Sequence, residues 1–528
     1  MAGEVVVYRA KRIRTGLADA PHTSALAVSK GRIVAVGAEA EALKSTRNVH
    51  WPDAVIVPGL VDAHAHLHML GKSLVVARLN DAESAEDAGR ILKRAGNDSR
   101  QGEWWVGQGW NQTKWPGEAF PTKAVLDALF PDAPVYLTRI DGHAAWLNSE
   151  ALRRAGITAA TVEVPGGRMV RDARGEPTGV LVDNAMDSVA ALIPPPTQAQ
   201  FEHRLRRALE RCATLGLTGI HDAGVDLRTF ETLRAWDEQG QLPLRVFAMA
   251  FGQGADEAAF LARGTYEGER LRMKTVKFLA DGALGSRGAA LHAPYSDEPS
   301  QSGLLLLSEE ALEAKAKAFC DAGFQVAIHA IGDLANTLAL NVLERLPPKR
   351  HRVEHAQILV PRDLPRFARA GLIASVQPTH ATSDWRWAQA RLGAERLKGA
   401  YAWRSLLDSG ARVAFGSDFP IEGPNPLLGL FAARTRQDAG LEPAGGWLPQ
   451  ECVTGEEALS GFTSGAAYAE FAEGQRGTLA VGMDADFTAL SVDPVDEPAP
   501  ALLSARAVAT VVAGNVIFVG KAEPTTRA

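Results

Sequence analysis

VPGLVDAHAH, residues 57–66, decides how this chain is read. Two imidazoles, His64 and His66, close an apolar run of strand length. Side chains alternate faces along a strand, so Asp62, His64 and His66 share one face while Ala63 and Ala65 share the other. His68 keeps that parity but lies past the end of the run and reads as a loop or supporting residue. A lone HxH is more often a pair of satisfied histidines than a pair of ligands. The rest of the chain has to decide.

Downstream, apolar strand-length runs alternate with amphipathic helical stretches. The strands predicted after 57–66 are 217–224, 244–250, 275–282, 325–333, 351–357, 373–380 and 412–420. Stretches such as QAQFEHRLRRALERCATLG and SEEALEAKAKAFCDAG separate them with helical periodicity. Eight strands with helices between them predict an α/β fold, a distorted TIM (β/α)8 barrel. An open doubly wound sheet would want a Gly-rich phosphate loop after its first strand, and none follows.

Both ends of the chain differ from this pattern. EVVVYRA, HTSALAVSKGRIVAVG and AVIVPG near the start, and GTLAVGMDADFTALSV and AVATVVAGNVIFVG near the finish, are β-branched runs broken by tight turns. They predict a small β-sandwich built from residues 1–58 and 474–528. The barrel then takes 59–72 and 197–473. Residues 73–196 read as an inserted α/β subdomain after the first barrel strand. That insertion holds Trp104, Trp105, Trp110, Trp115 and Trp146, five of the eleven tryptophans. They read either as its own core or as a lid over the barrel mouth.

Barrel enzymes keep their chemistry at the C-terminal ends of the strands. In this chain Lys277 lies in the fourth predicted strand, His329 near the end of the fifth, His355 in the sixth and Asp418 in the eighth. Imidazoles and a carboxylate converging on one end of a barrel suit one or two divalent metal ions, most simply Zn²⁺. A lysine there is disfavoured by burial and by a neighbouring cation. Lys277 therefore neutralises, pairs with an acid such as Asp281, or takes up CO₂ as a carbamate, an anionic ligand able to bridge two metals. Candidates for substrate contact are His143 (with Asp141) in DGHAAW, His221 in GIHDAG, Asp281, Arg287 (with Ser286) in GSRG, and His380 ending QPTH.

The bulk composition narrows the class of function. Across 528 residues the net charge is −6, with acids and bases mixed along the chain, so no basic stripe marks a nucleic-acid partner. No run approaches the length of a membrane span. The three cysteines, Cys212, Cys320 and Cys452, are far apart and odd in number, which argues against a disulfide framework. With no secretory pattern in MAGEVVVYRAKRIRTG, the expectation is a cytoplasmic protein acting on a small molecule. Self-association is left open.

PGLVDAHAH, KFLADGALGSRGA, HAIGD, HRVEHAQ and GSDFP, in this order, resemble the amidohydrolase superfamily. DGHAAWLNS, the Lys-containing fourth strand and EGPNPL narrow the resemblance to amidohydrolase family 3, the branch with N-substituted formamide deformylases. The resemblance covers essentially the whole chain. It implies that His64, His66 and Asp418 hold the more buried metal, and that His329 and His355 hold a second. It further implies that Lys277, as a carbamate, bridges the two. The expected reaction is hydrolysis of a non-peptide C–N bond in an N-acyl or N-formyl amine, with a metal-bound hydroxide attacking and Asp418 as general base. A cyclic amide, lactone or phosphoester on the same centre, or a noncatalytic scaffold, are the competing readings.

Overall fold

Strand β1, Val61–Ala65, opens a sheet of parallel neighbours in the computed structural model, which describes residues 4–520. The sheet continues through β2 (Gly219–Val225), β3 (Arg245–Phe251), β4 (Leu271–Leu279) and β5 (Gln325–Ala330). It ends with β6 (Arg352–His355), β7 (Ile373–Val376) and β8 (Arg412–Phe415). Each strand pairs with the next in chain order. All eight predicted strands are present, and the architecture is a (β/α)8 barrel.

Closure comes from backbone just past β8. Asp418 N donates to His64 O at 2.7 Å and His66 N donates to Phe419 O at 2.9 Å. The approach is close: a Cβ on Gly416 would stand 2.4 Å from His64 N and 2.7 Å from Asp62 Oδ1, so only glycine fits there. Asp62 fastens the same seam by accepting from Ser417 N at 3.0 Å and Ser417 Oγ at 2.6 Å.

Helices follow the strands as expected, for example Leu227–Glu238 after β2, Glu309–Asp321 after β4 and Asp333–Arg345 after β5. Several strands end earlier than their apolar runs. The predicted 373–380 strand stops at Val376, and Pro378 begins the helical segment Pro378–Arg396, which is broken by a kink at Gly393 (φ 70°). Proline at the first helical position sacrifices an N–H that has no intrahelical partner anyway. His380 therefore sits in a helical first turn, not on a strand end.

The two chain ends build one seven-stranded sheet, with strands in the order 515–519, 507–512, 487–490, 47–58, 5–14, 22–29 and 32–36. The sheet rolls over itself: Ile33 N donates to Met483 O and Gly482 N to Ile33 O, at 2.9 and 2.8 Å. Tyr8, Leu26, Ile33, Ile56, Phe487 and Val511 pack inside the roll. The first three and last eight residues of the predicted end segments lie outside the described residues.

The described chain divides into two compact units, one running up to His66 and resuming at Leu209, the other Leu67–Ala208. The second has its own mixed sheet, including Trp104–Trp110, Val135–Arg139, Ala144–Leu147 and Pro177–Asp183. Trp110, Trp115 and Trp146 pack in the core on one side, and Trp104 with Tyr136 in a separate core. Their indole N–H groups are satisfied by backbone: Trp110 by Leu137 O at 2.8 Å, Trp115 by Ala82 O at 2.7 Å, Trp146 by Thr122 O at 3.1 Å. The tryptophan enrichment is explained by this packing.

Candidate metal centre

His64, His355 and Asp418 each offer a ligand atom, and the three atoms lie within 4.8 Å of one another, all buried. His66 Nε2 is 2.9 Å and His64 Nε2 3.6 Å from Asp418 Oδ1. The His329 and His355 rings are 4.5 Å apart, and the His64 and His355 rings 4.7 Å. Five residues from strands β1, β5, β6 and the end of β8 thus meet in one place.

The backbone bends to make this possible. β6 is buried along its whole length, and Glu354 faces the barrel interior. Strict alternation would then turn His355 outward. Instead His355 takes φ 71° and Ala356 φ 42°, left-handed values that β-strands avoid. The turn re-aims His355 toward His64 and His329. Asp418 is likewise at φ 61°. Two members of the cluster in this sparsely populated region fit the tendency of such backbone to gather at functional sites.

Glu354 is a member of the site that the sequence reading missed. Its Oε2 lies 2.5 Å from His64 Nδ1, leaving Nε2 to face the cluster. Arg352 Nε donates to Glu354 Oε1 at 2.6 Å, and its other nitrogens reach Ala63 O, Ser375 Oγ and His221 Nδ1. A charged pair inside the short strand RVEH was the available hint, since such residues are rarely buried unpaired. Gln377 was also missed; its Oε1 lies 2.8 Å from His355 Nδ1.

Electrostatics favour the neutral imidazole at His64 and His329. Burial, then the Lys277 ammonium, pushes His64 down to about 4 and His329 to about 3, against the contrary pull of nearby carboxylates. Burial raises the Asp418 carboxyl, but contacts from His380 and His66 outweigh it and hold it well below its usual range. Burial alone is opposed in Glu354 by Arg352 and His64, again with a net fall. Lys277, 3 % exposed, is brought down to about 8 chiefly by burial. Neutral imidazole and ionised carboxylate are the forms that bind metal.

The other predicted residues separate. Asp281 does not serve as an ion-pair partner for Lys277. It accepts from Ala290 N, Ile331 N and Gly332 N at 2.9, 3.0 and 2.8 Å, and so ties loops together beside His329. His221 is completely buried, its Nδ1 3.0 Å from Arg352, and so belongs to the network that supports the cluster. Arg287 is engaged by Asp297 through two hydrogen bonds. His143 belongs to the unit Leu67–Ala208, where Nδ1 lies 2.8 Å from Asp183. His380 does join the cluster: its Nε2 is 3.2 Å from Asp418 Oδ2.

The donor set fits a divalent ion. His329 Nε2 and Asp418 Oδ1 are buried without a properly directed hydrogen bond, although other polar groups stand near. Buried polar atoms are rarely left so unless a further partner completes them.

Comparison with known proteins agrees with this chemistry. The profile described as "Amidohydrolase family" matches residues 53–518. The chain is 36% identical over 525 residues to "Putative amidohydrolase YtcJ" of Bacillus subtilis, covering 96% of this chain and 98% of that protein. It is 28% identical over 520 residues to N-substituted formamide deformylase of Arthrobacter pascens, covering 92% and 93%. Among solved structures, an uncharacterized metal-dependent hydrolase from Pyrococcus horikoshii superposes with a TM-score of 0.79. That pair is 28% identical, with 94% of this chain and 99% of the other covered. None of the described helices is long and apolar enough to cross a membrane.

Proposed function

The chain belongs to the amidohydrolase family, and from that premise we propose that it hydrolyses the C–N bond of a small N-acyl or N-formyl amine. The single observation carrying this reading is the convergence of His64, His355 and Asp418 within 4.8 Å at the barrel mouth, with His66 and His329 against them. The formamide-cleaving relative supports the choice of bond.

His64, His66 and Asp418 would hold one divalent ion, most simply Zn²⁺, and His329 and His355 a second. Lys277, once carboxylated, would be the shared ligand. When bound, such ions make water nucleophilic near neutral pH and polarise the carbonyl. Asp418 would accept the proton of the attacking water and return it to the leaving nitrogen, a transfer typically worth about 10²–10⁴-fold. His380, against Asp418 Oδ2, holds that carboxylate in place. Glu354 and Gln377 fix the imidazoles of His64 and His355 through their Nδ1 atoms. The products are a carboxylate and an amine.

The test is metal analysis of the purified protein joined to a screen of N-formyl and N-acyl amines for amine release. Metal-dependent release supports the reading. A fully metal-loaded protein that releases no amine from any member of the panel overturns it.

A further inference from the structure

Strand parity puts Arg352 and Glu354 on the same inner face of β6, two residues apart. Glu354 holds the His64 imidazole. Arg352 lies deeper, and His221 reaches it from β2; both are completely buried.

The guanidinium is held on each of its nitrogens. Nε and Nη2 face the two Glu354 oxygens at 2.6 and 3.3 Å. Nη2 also donates to Ala63 O at 2.7 Å and to Ser375 Oγ at 2.9 Å. Nη1 meets His221 Nδ1 at 3.0 Å. A guanidinium carries five N–H donors and no acceptor, and it keeps its charge in proteins. Nδ1 of His221 must therefore accept, which leaves the ring neutral with its proton on Nε2.

The far side of the ring agrees with that tautomer. Nε2 points toward Glu470, whose Oε2 is 4.0 Å away and whose Oε1 lies 3.5 Å from Arg476 Nη1. A carboxylate on that side favours an N–H over a lone pair. Burial, then Arg352, holds the imidazole well below its usual range, so the neutral ring is the folded form. Chemistry and packing are both available as reasons for a histidine here, since the ring also stands 5.0 Å from that of Phe247 on β3.

We infer that His221 is a positioning residue of the metal centre: by accepting at Nδ1 it orients Arg352, and through Arg352 and Glu354 it orients His64. This inference rests on reading the cluster as a metal centre.

Two substitutions separate the acceptor from the ring. His221→Phe keeps the ring and its packing but leaves Nη1 of a buried guanidinium without an acceptor. His221→Asn loses the ring but can place a carbonyl oxygen where Nδ1 stood. Zn²⁺ affinity of the full chain, read by competition with a chromophoric chelator, should fall about tenfold in the Phe variant, the low end for groups that support a ligand. The Asn variant should recover most of that loss. The reverse order, or equal affinities in native and folded Phe proteins, overturns the inference in favour of packing. A neutron crystal structure of the native chain reads the tautomer without any variant. Hydrogen on Nε2 alone is expected, and hydrogen on Nδ1 overturns the inference even if neither variant folds. A native chain that fails to bind Zn²⁺ defeats instead the metal-centre reading.

Discussion

Glu354 Oε2 and His64 Nδ1 lie 2.5 Å apart, although 290 positions separate them in the chain. The contact fixes the orientation of an imidazole whose other nitrogen faces the cluster. It also occupies a carboxylate that Arg352 holds from the opposite side. Supporting bonds of this kind raise ligand basicity and fix the tautomer.

Glu354→Gln should therefore weaken metal binding about 10–100-fold while retaining the fold. Competition with a chromophoric chelator measures it. Glutamine can still accept from Arg352, whereas truncation to Ala would leave a buried guanidinium unpaired at a cost of about 3–5 kcal/mol. Unaltered affinity in the Gln variant would remove Glu354 from the centre.

Asp418→Asn should lose at least about a hundredfold in kcat, the contribution expected of a general base. Metal content measured on the same sample separates lost proton transfer from lost ligation. A near-native rate with metal bound would assign the proton to another group.

Lys277 sits at about 8, so its free-base form, the form that adds CO₂, grows as pH rises through that value. At equal dissolved CO₂, carbamate formation in the metal-free protein should accordingly be faster at pH 9 than at pH 7, by about tenfold if the amine fraction limits it. Lys277→Ala should lose activity and regain part of it with a short carboxylic acid. Native mass spectrometry showing a bare amine in active enzyme would end the carbamate proposal.

His351 offers a pH probe away from the ligands. Val326 N donates to its Nδ1 at 3.0 Å and its Nε2 faces Pro347 O at 2.9 Å, so the folded ring is held neutral. Burial is the main reason that it falls to about 4, with Lys349 adding to the fall and Pro347 opposing it. An unfolded histidine titrates near 6.5, so between about 6.5 and 4 the unfolded chain binds more protons. Stability from this group is complete above that window and is lost as pH falls through it, by up to about 3 kcal/mol. His351→Gln should flatten this part of the Tm-versus-pH curve; an unchanged slope would show that other groups set it.

Local sequence determined the order of the eight strands, because burial imposes apolar runs and each run is bounded by turn chemistry. It also determined the shared face of Asp62, His64 and His66, because strand parity is a property of neighbouring residues. The tryptophans of the insertion were legible only as a concentration of apolar surface; their contacts show which surface they fill. Parity alone could not place Glu354 and His355 together inside the barrel. Left-handed backbone at His355 does that, and such backbone persists only where surrounding packing over-determines it. The Glu354–His64 contact, the engagement of Arg287 by Asp297 and the bond from Arg352 to His221 likewise join distant segments. Only the closed barrel brings those segments together, since contact across such separations depends on the path of the whole chain.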